Sequence, residues 1–233
     1  MFFRLLYHEL AWTYDLVAWV VSFGQWKAWG RAATLHLRGP RVLEIAHGPG
    51  HLLVAMTRAG FASVGLDLSP QMGTLAQARL RREHVGGVDP HPRPFSRGGR
   101  RERTLSRAGG GQGGGEPLSP PLVRARAQAM PFRSGSFNSV VSTFPAEFIV
   151  QAETLREIAR VMQDDGRAVV VPGVAFKRNL PARALEWLYT VTGQQEPAPP
   201  GLADALAEAG LAIKFEREPM GMVDVLIAVA TKT

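Results

Sequence analysis

The segment Arg41-Val-Leu-Glu-Ile-Ala-His-Gly-Pro-Gly50, answered by Val64-Gly-Leu-Asp-Leu-Ser-Pro70, restricts this chain more than any other part of it. An apolar run breaks into a glycine-bearing turn, a helical stretch follows, and a second apolar run ends on an acid, Asp67. Glu44 and Asp67 are 23 residues apart, close to the roughly 20 that separate the turn from the ribose-binding acid in a nucleotide-binding βαβ unit. The spacing has a physical cause. Glycine lets the backbone approach a ligand, the following helix directs unpaired N–H groups toward it, and the acid accepts from two ribose hydroxyls. A nucleoside-containing ligand is the first expectation.

The glycine positions narrow it. A dinucleotide loop needs glycines at 46, 48 and 51, whereas the chain has Ala46, Gly48 and His51, with its third small residue one step early at Gly50. The loop resembles the E/D-x-G-x-G-x-G turn of class I S-adenosylmethionine-dependent methyltransferases, with Ala46 in the place of the first glycine. Further blocks follow in the family's order: Gly65-Leu-Asp-Leu-Ser-Pro-Gln-Met72, Ala127-Gln-Ala-Met-Pro-Phe132, Gly135-Ser-Phe-Asn-Ser-Val-Val-Ser142, Leu155-Arg-Glu-Ile-Ala-Arg-Val-Met162 and Asp165-Gly-Arg-Ala-Val-Val-Val171. They resemble the subgroup that includes the ubiquinone/menaquinone C-methyltransferases, and they cover about residues 40–175.

This resemblance implies an α/β fold, a doubly wound, seven-stranded and mostly parallel sheet with an antiparallel C-terminal strand. It implies S-adenosyl-L-methionine as cofactor and a small apolar or amphiphilic methyl acceptor. Glu44, Ala46, His47, Gly48 and Gly50 would line the methionine portion and the turn beneath it, and Asp67 would take the ribose hydroxyls. Leu68 and Met72 would flank the adenine, with Ala127 and Gln128 at its edge. Thr143 and Phe144 would stand at the mouth of the fourth strand, beside the reacting methyl. Tyr14, in a Tyr14-Asp15 pair similar to one in the family's lid, joins the cofactor set. Glu147 is the candidate proton acceptor, weighed against a pocket or helix-capping role, since an acid in a helix's first turn is favourable in any case. Two departures matter: Ala46 is tolerable at negative φ and strained otherwise, and Arg126 occupies the place where many relatives carry an aspartate.

Length and 45% hydrophobic content fit one substantial core, so residues 1–233 are read as a single domain. Cysteine is absent, which excludes a disulfide framework and a thiol nucleophile. No apolar run reaches the roughly 18 residues of a spanning helix, and a cytoplasmic location is expected. His47 and His51 are four apart, but His47 is in the loop and no carboxylate is spaced to complete a set, so no metal is expected. Residues 81–126 hold ten arginines against four acids, a net of +6 out of the whole-chain +7. The basic character is therefore local, which argues against nucleic acid as the partner.

Within that region, residues 83–120 form a Gly/Arg/Pro-rich insertion with almost no large apolar side chain. Such a composition cannot offset its ordering entropy, so disorder is expected. The first 38 residues are rich in aromatics and read as a helical lid. Peripheral membrane contact through this N-terminal helix or the basic insertion is the second role open to these segments. Residues 174–200, with Phe176, Leu185, Trp187 and Tyr189, would form the other wall of the pocket. Strands are expected at 41–46, 62–68, 122–126, 136–142, 167–172, 211–216 and 222–230, with helices at 50–59, 70–82, 146–162 and 202–209. Two other functions stay open at this stage: an RNA methyltransferase, and a binding-only scaffold that has kept the cofactor fold. The sequence leaves the oligomeric state undetermined.

Overall fold

The computed structural model describes residues 26–85, 120–176, 202–221 and 223–233. Tyr14, the lid before residue 26, most of the insertion and most of the second pocket wall lie outside the described residues. In chain order the elements are α1 (Trp26–Ala32), a 3-10 turn (Ala33–His36), β1 (Arg41–Ile45), α2 (His51–Arg58), β2 (Ala62–Asp67) and α3 (Pro70–Val85). Then come β3 (Leu122–Arg124), β4 (Phe137–Thr143), a second 3-10 turn (Glu147–Val150), α4 (Ala152–Val161) and β5 (Met162–Phe176). The chain closes with α5 (Leu202–Glu208), β6 (Leu211–Met220) and β7 (Val223–Lys232).

The seven strands form one sheet in the order β3-β2-β1-β4-β5-β7-β6. β1 pairs in parallel with β2 and β4, and β5 in parallel with β4. β7 runs antiparallel between β5 and β6. This is the doubly wound, seven-stranded architecture that the sequence implies.

Burial explains the order. In β1 every residue after Arg41 is buried, as a strand covered on both faces requires. Alternation sends its side chains to two cores. Leu43 and Ile45 join Leu66, Phe137, Val140, Ile158 and Met162 on one face. Val42 joins Trp29, Leu53, Met56, Val141, Val169 and Ile227 on the other. Glu44 is two residues from Val42 and shares its face, so its carboxyl is carried into the second layer. No helix among the described residues is long and apolar enough to cross a membrane.

Two elements differ from the sequence expectation. The helix expected from 146 to 162 is interrupted: Gln151 is extended, with φ −69° and ψ 140°, and separates the 3-10 turn from α4. Periodicity alone does not reveal this break, because the buried Ile149 and Leu155 serve the same core on either side of it. β5 begins five residues early, because Met162 pairs with Phe137 before the register shifts and Arg167 pairs with Ser139.

Asn138 ties this region together. Its Oδ1 accepts from the Arg41 backbone N–H at 3.1 Å, its amide donates to Gln163, and a Cβ at Gly39 would lie 2.4 Å from its Cγ. It therefore clamps the entry of β1 to β4 and β5. Asn138→Ala leaves a strand-entry N–H without its acceptor. It should cost about 1–2 kcal/mol in urea unfolding with an unchanged m value; an unaltered midpoint would show that the clamp carries no stability.

Candidate cofactor cleft

The strand order reverses between β1 and β4, with β2 on one side of β1 and β4 on the other. In an open α/β sheet a crevice forms outside the carboxyl ends of the strands at such a switch point. Here it is a cleft of about 440 Å³, open mouth included, lined by Gly30, Arg31, Glu44, Ala46, His47, Gly48, Pro49, His51, Leu52 and Thr143.

Its floor is the turn after β1. Ala46 N–H donates to the Leu66 carbonyl at 2.7 Å, which holds the turn against β2. Gly48 has φ 51°, and a side chain there would meet nothing within 4 Å. That open space lies on the ligand side of the loop. Gly50, with φ 79°, has a different reason to be glycine: a Cβ would sit 2.9 Å from that of Ala76. It seats the start of α2 against α3 rather than lining the cleft.

Asp67 closes β2 and is fastened from two directions. Gly48 N–H donates to its Oδ2 at 3.0 Å, and Ser69 N–H donates to its Oδ1 at 2.8 Å. Each oxygen keeps a lone pair for a further donor. Ser69 also accepts through its hydroxyl from Met72 N–H at 3.3 Å, which caps α3.

Glu44 is buried at 2% exposure, and its Oε2 has no hydrogen-bond partner. Burial first, and then the charge of Asp67, hold its carboxyl well above the usual carboxylate range, while a backbone hydrogen bond from Leu53 works the other way. His47 donates from Nδ1 to the Gly48 carbonyl at 2.7 Å. Burial pulls its pKa below the ordinary value, against the opposing pull of Asp67.

Among the described residues, two outside glycine have positive φ: Ala46 at 54° and Phe144 at 51°. They follow β1 and β4, the two strands that flank the crevice. The condition under which Ala46 is strained is therefore met, at about 1–2 kcal/mol for a left-handed alanine. Phe144 is half-buried, and its N–H donates to the Val171 carbonyl at 2.7 Å. Strain of this kind collects where surrounding structure holds a site in shape.

Not every residue of the expected set is in the wall. Glu44, Ala46, His47, Gly48 and Thr143 line the cleft, and Asp67 is one hydrogen bond behind Gly48. Leu68 is exposed at 55%, and Met72 and Ala127 are buried. Gln128 donates to Gln151 at 2.7 Å. Glu147 is exposed on its 3-10 turn. Among the described residues no cluster of three or more His, Asp or Glu side chains is arranged to hold a metal ion. The sequence reading named neither Gly30 nor Arg31 as a site residue, although both lie within the first 38 residues that it read as a helical lid.

Two substitutions probe this geometry. Ala46→Gly relieves the strained φ while adding roughly 0.5–1 kcal/mol of glycine entropy. It should leave stability unchanged or raise it by up to about 1 kcal/mol, while Ala55→Gly inside α2 loses about 1 kcal/mol; equal losses at both sites would contradict a strained turn. For Glu44 the folded pKa is raised, so the stability it contributes is full below the unfolded carboxylate range and is lost as pH rises toward the folded value. Glu44→Gln should therefore match the parent near pH 4 and exceed it by roughly 1–3 kcal/mol at pH 8 in thermal or urea unfolding. A constant difference across that range would show an ordinary, solvated carboxylate.

Residues 3–89 match the ubiE/COQ5 methyltransferase family, and residues 100–170 match a methyltransferase domain. The ubiquinone/menaquinone biosynthesis C-methyltransferase UbiE of Geotalea uraniireducens is 28% identical over 71% of this chain. That match spans 60% of the relative's own length. The demethylmenaquinone methyltransferase of Thermus thermophilus is 28% identical, with 93% of this chain and 96% of that protein aligned. A putative S-adenosyl-L-methionine-dependent methyltransferase from Methanococcus maripaludis superposes at a TM-score of 0.61 with 15% identity, covering 96% of this chain and 92% of that one. Geranyl diphosphate C-methyltransferase from Streptomyces coelicolor gives 0.56 with 12% identity, covering 88% and 79%. By its fold, its loop and these matches, the chain is similar to class I S-adenosylmethionine-dependent methyltransferases.

Proposed function

We propose that this chain transfers the methyl group of S-adenosylmethionine to a small, lipophilic acceptor of the quinone type. The acceptor class follows the two relatives, a ubiquinone/menaquinone biosynthesis C-methyltransferase and a demethylmenaquinone methyltransferase. The observation that carries the proposal is the buried Glu44 oxygen without a partner, facing a cleft whose floor at Gly48 is open. A buried polar atom with no partner is rare and costs about 1–3 kcal/mol. A cationic amine of the kind carried by the methionine end of the cofactor would satisfy it and favour its ionised form. The donor set fits the cofactor.

When bound, the cofactor supplies a methyl group on positively charged sulfur, which passes in line to a nucleophile as the sulfur becomes a neutral thioether. The chain's part is to hold, align and dry the reactants, which accounts for most of the acceleration available to such a step. Asp67 presents its two remaining lone pairs to the ribose hydroxyls, its carboxylate plane fixed by Gly48 and Ser69. Leu68 and Met72 flank the adenine, with Ala127 and Gln128 at its edge. Thr143 and Phe144 bound the acceptor's side. Glu147 lies a few residues beyond Phe144 and receives the acceptor's proton in this reading. The net +6 of residues 81–126 supports attraction to an anionic membrane surface from which a lipophilic acceptor is drawn.

Asp67→Asn replaces a carboxylate acceptor with an amide. It should weaken S-adenosylhomocysteine binding by at least about 10-fold in isothermal titration, the loss expected of a charge-assisted hydrogen bond. In parallel, labelled S-adenosylmethionine with a lipid extract should deliver label to the organic phase. Failure of the parent protein to bind at millimolar concentration would favour the scaffold reading, and label passing only to polynucleotide would favour RNA.

A further inference from the structure

The two edges of the sheet are built differently. β3, at one edge, is three residues long, while β6, at the other, has ten. All ten pair with β7 in one unbroken antiparallel register, from Leu211 opposite Lys232 to Met220 opposite Val223. Among the described residues β6 has a neighbouring strand on one side only. Alternate residues of such a strand turn their N–H and C=O groups outward, and a long, regular edge is a template for a further strand. The side chains add to this. Phe215 is 68% exposed and Ile213 38%, and alternation puts both on one face of β6. Lys214 and Glu216 share the opposite face, with Nζ 3.2 Å from Oε1.

The order of residues in β6 selects what can pair with it. Residues opposed in an antiparallel ladder share the same hydrogen-bonding state, so two copies of one strand can meet about a two-fold axis only where that axis passes through a residue. An axis at Lys214 opposes two lysines, one at Glu216 two glutamates, and one at Arg217 two arginines. Like charges directly opposite destabilise a pair. An axis at Ile213 uses only the stretch from Leu211 to Phe215 and leaves the rest of the edge bare. An axis at Phe215 opposes Phe215 to its own copy, Lys214 to Glu216 on both sides, and Ile213 to Arg217 on both sides. The two rings then meet on one face, and four charges of alternating sign meet on the other.

From this complementarity we infer that β6 is a homodimer interface. A second copy of this chain pairs antiparallel to it about a two-fold axis at Phe215 and joins two seven-stranded sheets into one. The contact is the same patch on both subunits, as a two-fold interface requires. Its charged face is exposed, so association weakens with added salt. The surface is separate from the cleft between β1 and β4, and the pairing stands apart from the cofactor reading.

Sedimentation equilibrium of the full chain at low ionic strength tests this. The parent should form dimers and nothing larger, because a two-fold pairing uses up the edge. Lys214→Glu and Glu216→Lys should each weaken association at least about 10-fold, since each sets like charges opposite one another at two places. An equimolar mixture of these two variants should recover it, because one strand then presents two acids to two lysines. The chain has no cysteine, so Phe215→Cys supplies a single thiol. Opposed Cα atoms in an antiparallel pair are about 4.5–5.5 Å apart, within reach of a disulfide. Mild oxidation should therefore cross-link Phe215→Cys into a covalent dimer and leave Ile213→Cys, four positions from its own copy along the ladder, uncross-linked. Glu216 Oε2 also lies 3.5 Å from His36 Nδ1, so if Glu216→Lys unfolds, the two thiol variants decide alone. A monomeric parent, dimers that survive both charge variants, a mixture that fails to reassociate, or equal cross-linking of the two thiols overturns the assignment.

Discussion

Asp67 is fixed by two backbone N–H groups, one from each of the loops that meet at the end of β2. The hydrogen bond from Gly48 joins the β1 turn to the end of β2, and the bond from Ser69 sets the start of α3. One carboxylate therefore organises the floor of the cleft and stays half-buried beside it with acceptor capacity to spare. Loss of the bond from Gly48 would loosen the turn that carries His47 and Gly48. The same charge also acts on its neighbours: it adds to the burial that raises the Glu44 pKa and opposes the burial that lowers that of His47. Burial remains the larger cause of both shifts, and Asp67 modulates them while it holds the loop.

Strain enters at the same place. Ala46 and Phe144 hold positive φ at the ends of the two strands that bound the crevice, and each donates its N–H to a carbonyl of an adjacent strand at 2.7 Å. These bonds keep the two chains turned outward where extended strands would otherwise continue and fill the gap. Ser142 reinforces the arrangement from inside, its hydroxyl donating to the Ile45 carbonyl at 2.8 Å in a fully buried position. The cleft is open because its walls are held in conformations that side-chain-bearing residues seldom adopt.

Much of this was legible in the sequence, for identifiable reasons. The β1-turn-α2-β2 unit shows itself because a two-sided buried strand must read as an apolar run, and a close backbone approach must read as glycine. The lone acid in β1, Glu44, was visible as a break in that run, and it proved to be the buried carboxyl of the cleft. What did not show were features made by distant parts of the chain. The extended residue Gln151 between two helical pieces satisfies the same apolar periodicity as an unbroken helix. The early start of β5 depends on Met162 finding Phe137 across a register shift. Arg31 lines the cleft beside Thr143, a residue more than a hundred positions away in sequence.

A structure of the protein crystallised with S-adenosylhomocysteine tests the central claim most directly. Both ribose hydroxyls should lie about 2.7–3.0 Å from the Asp67 carboxylate, with the bond from Gly48 N–H intact and the ligand's amine at Glu44 Oε2. An adenosyl group bound elsewhere, or an Asp67 turned away from the sugar with the space above Gly48 still empty, would contradict it.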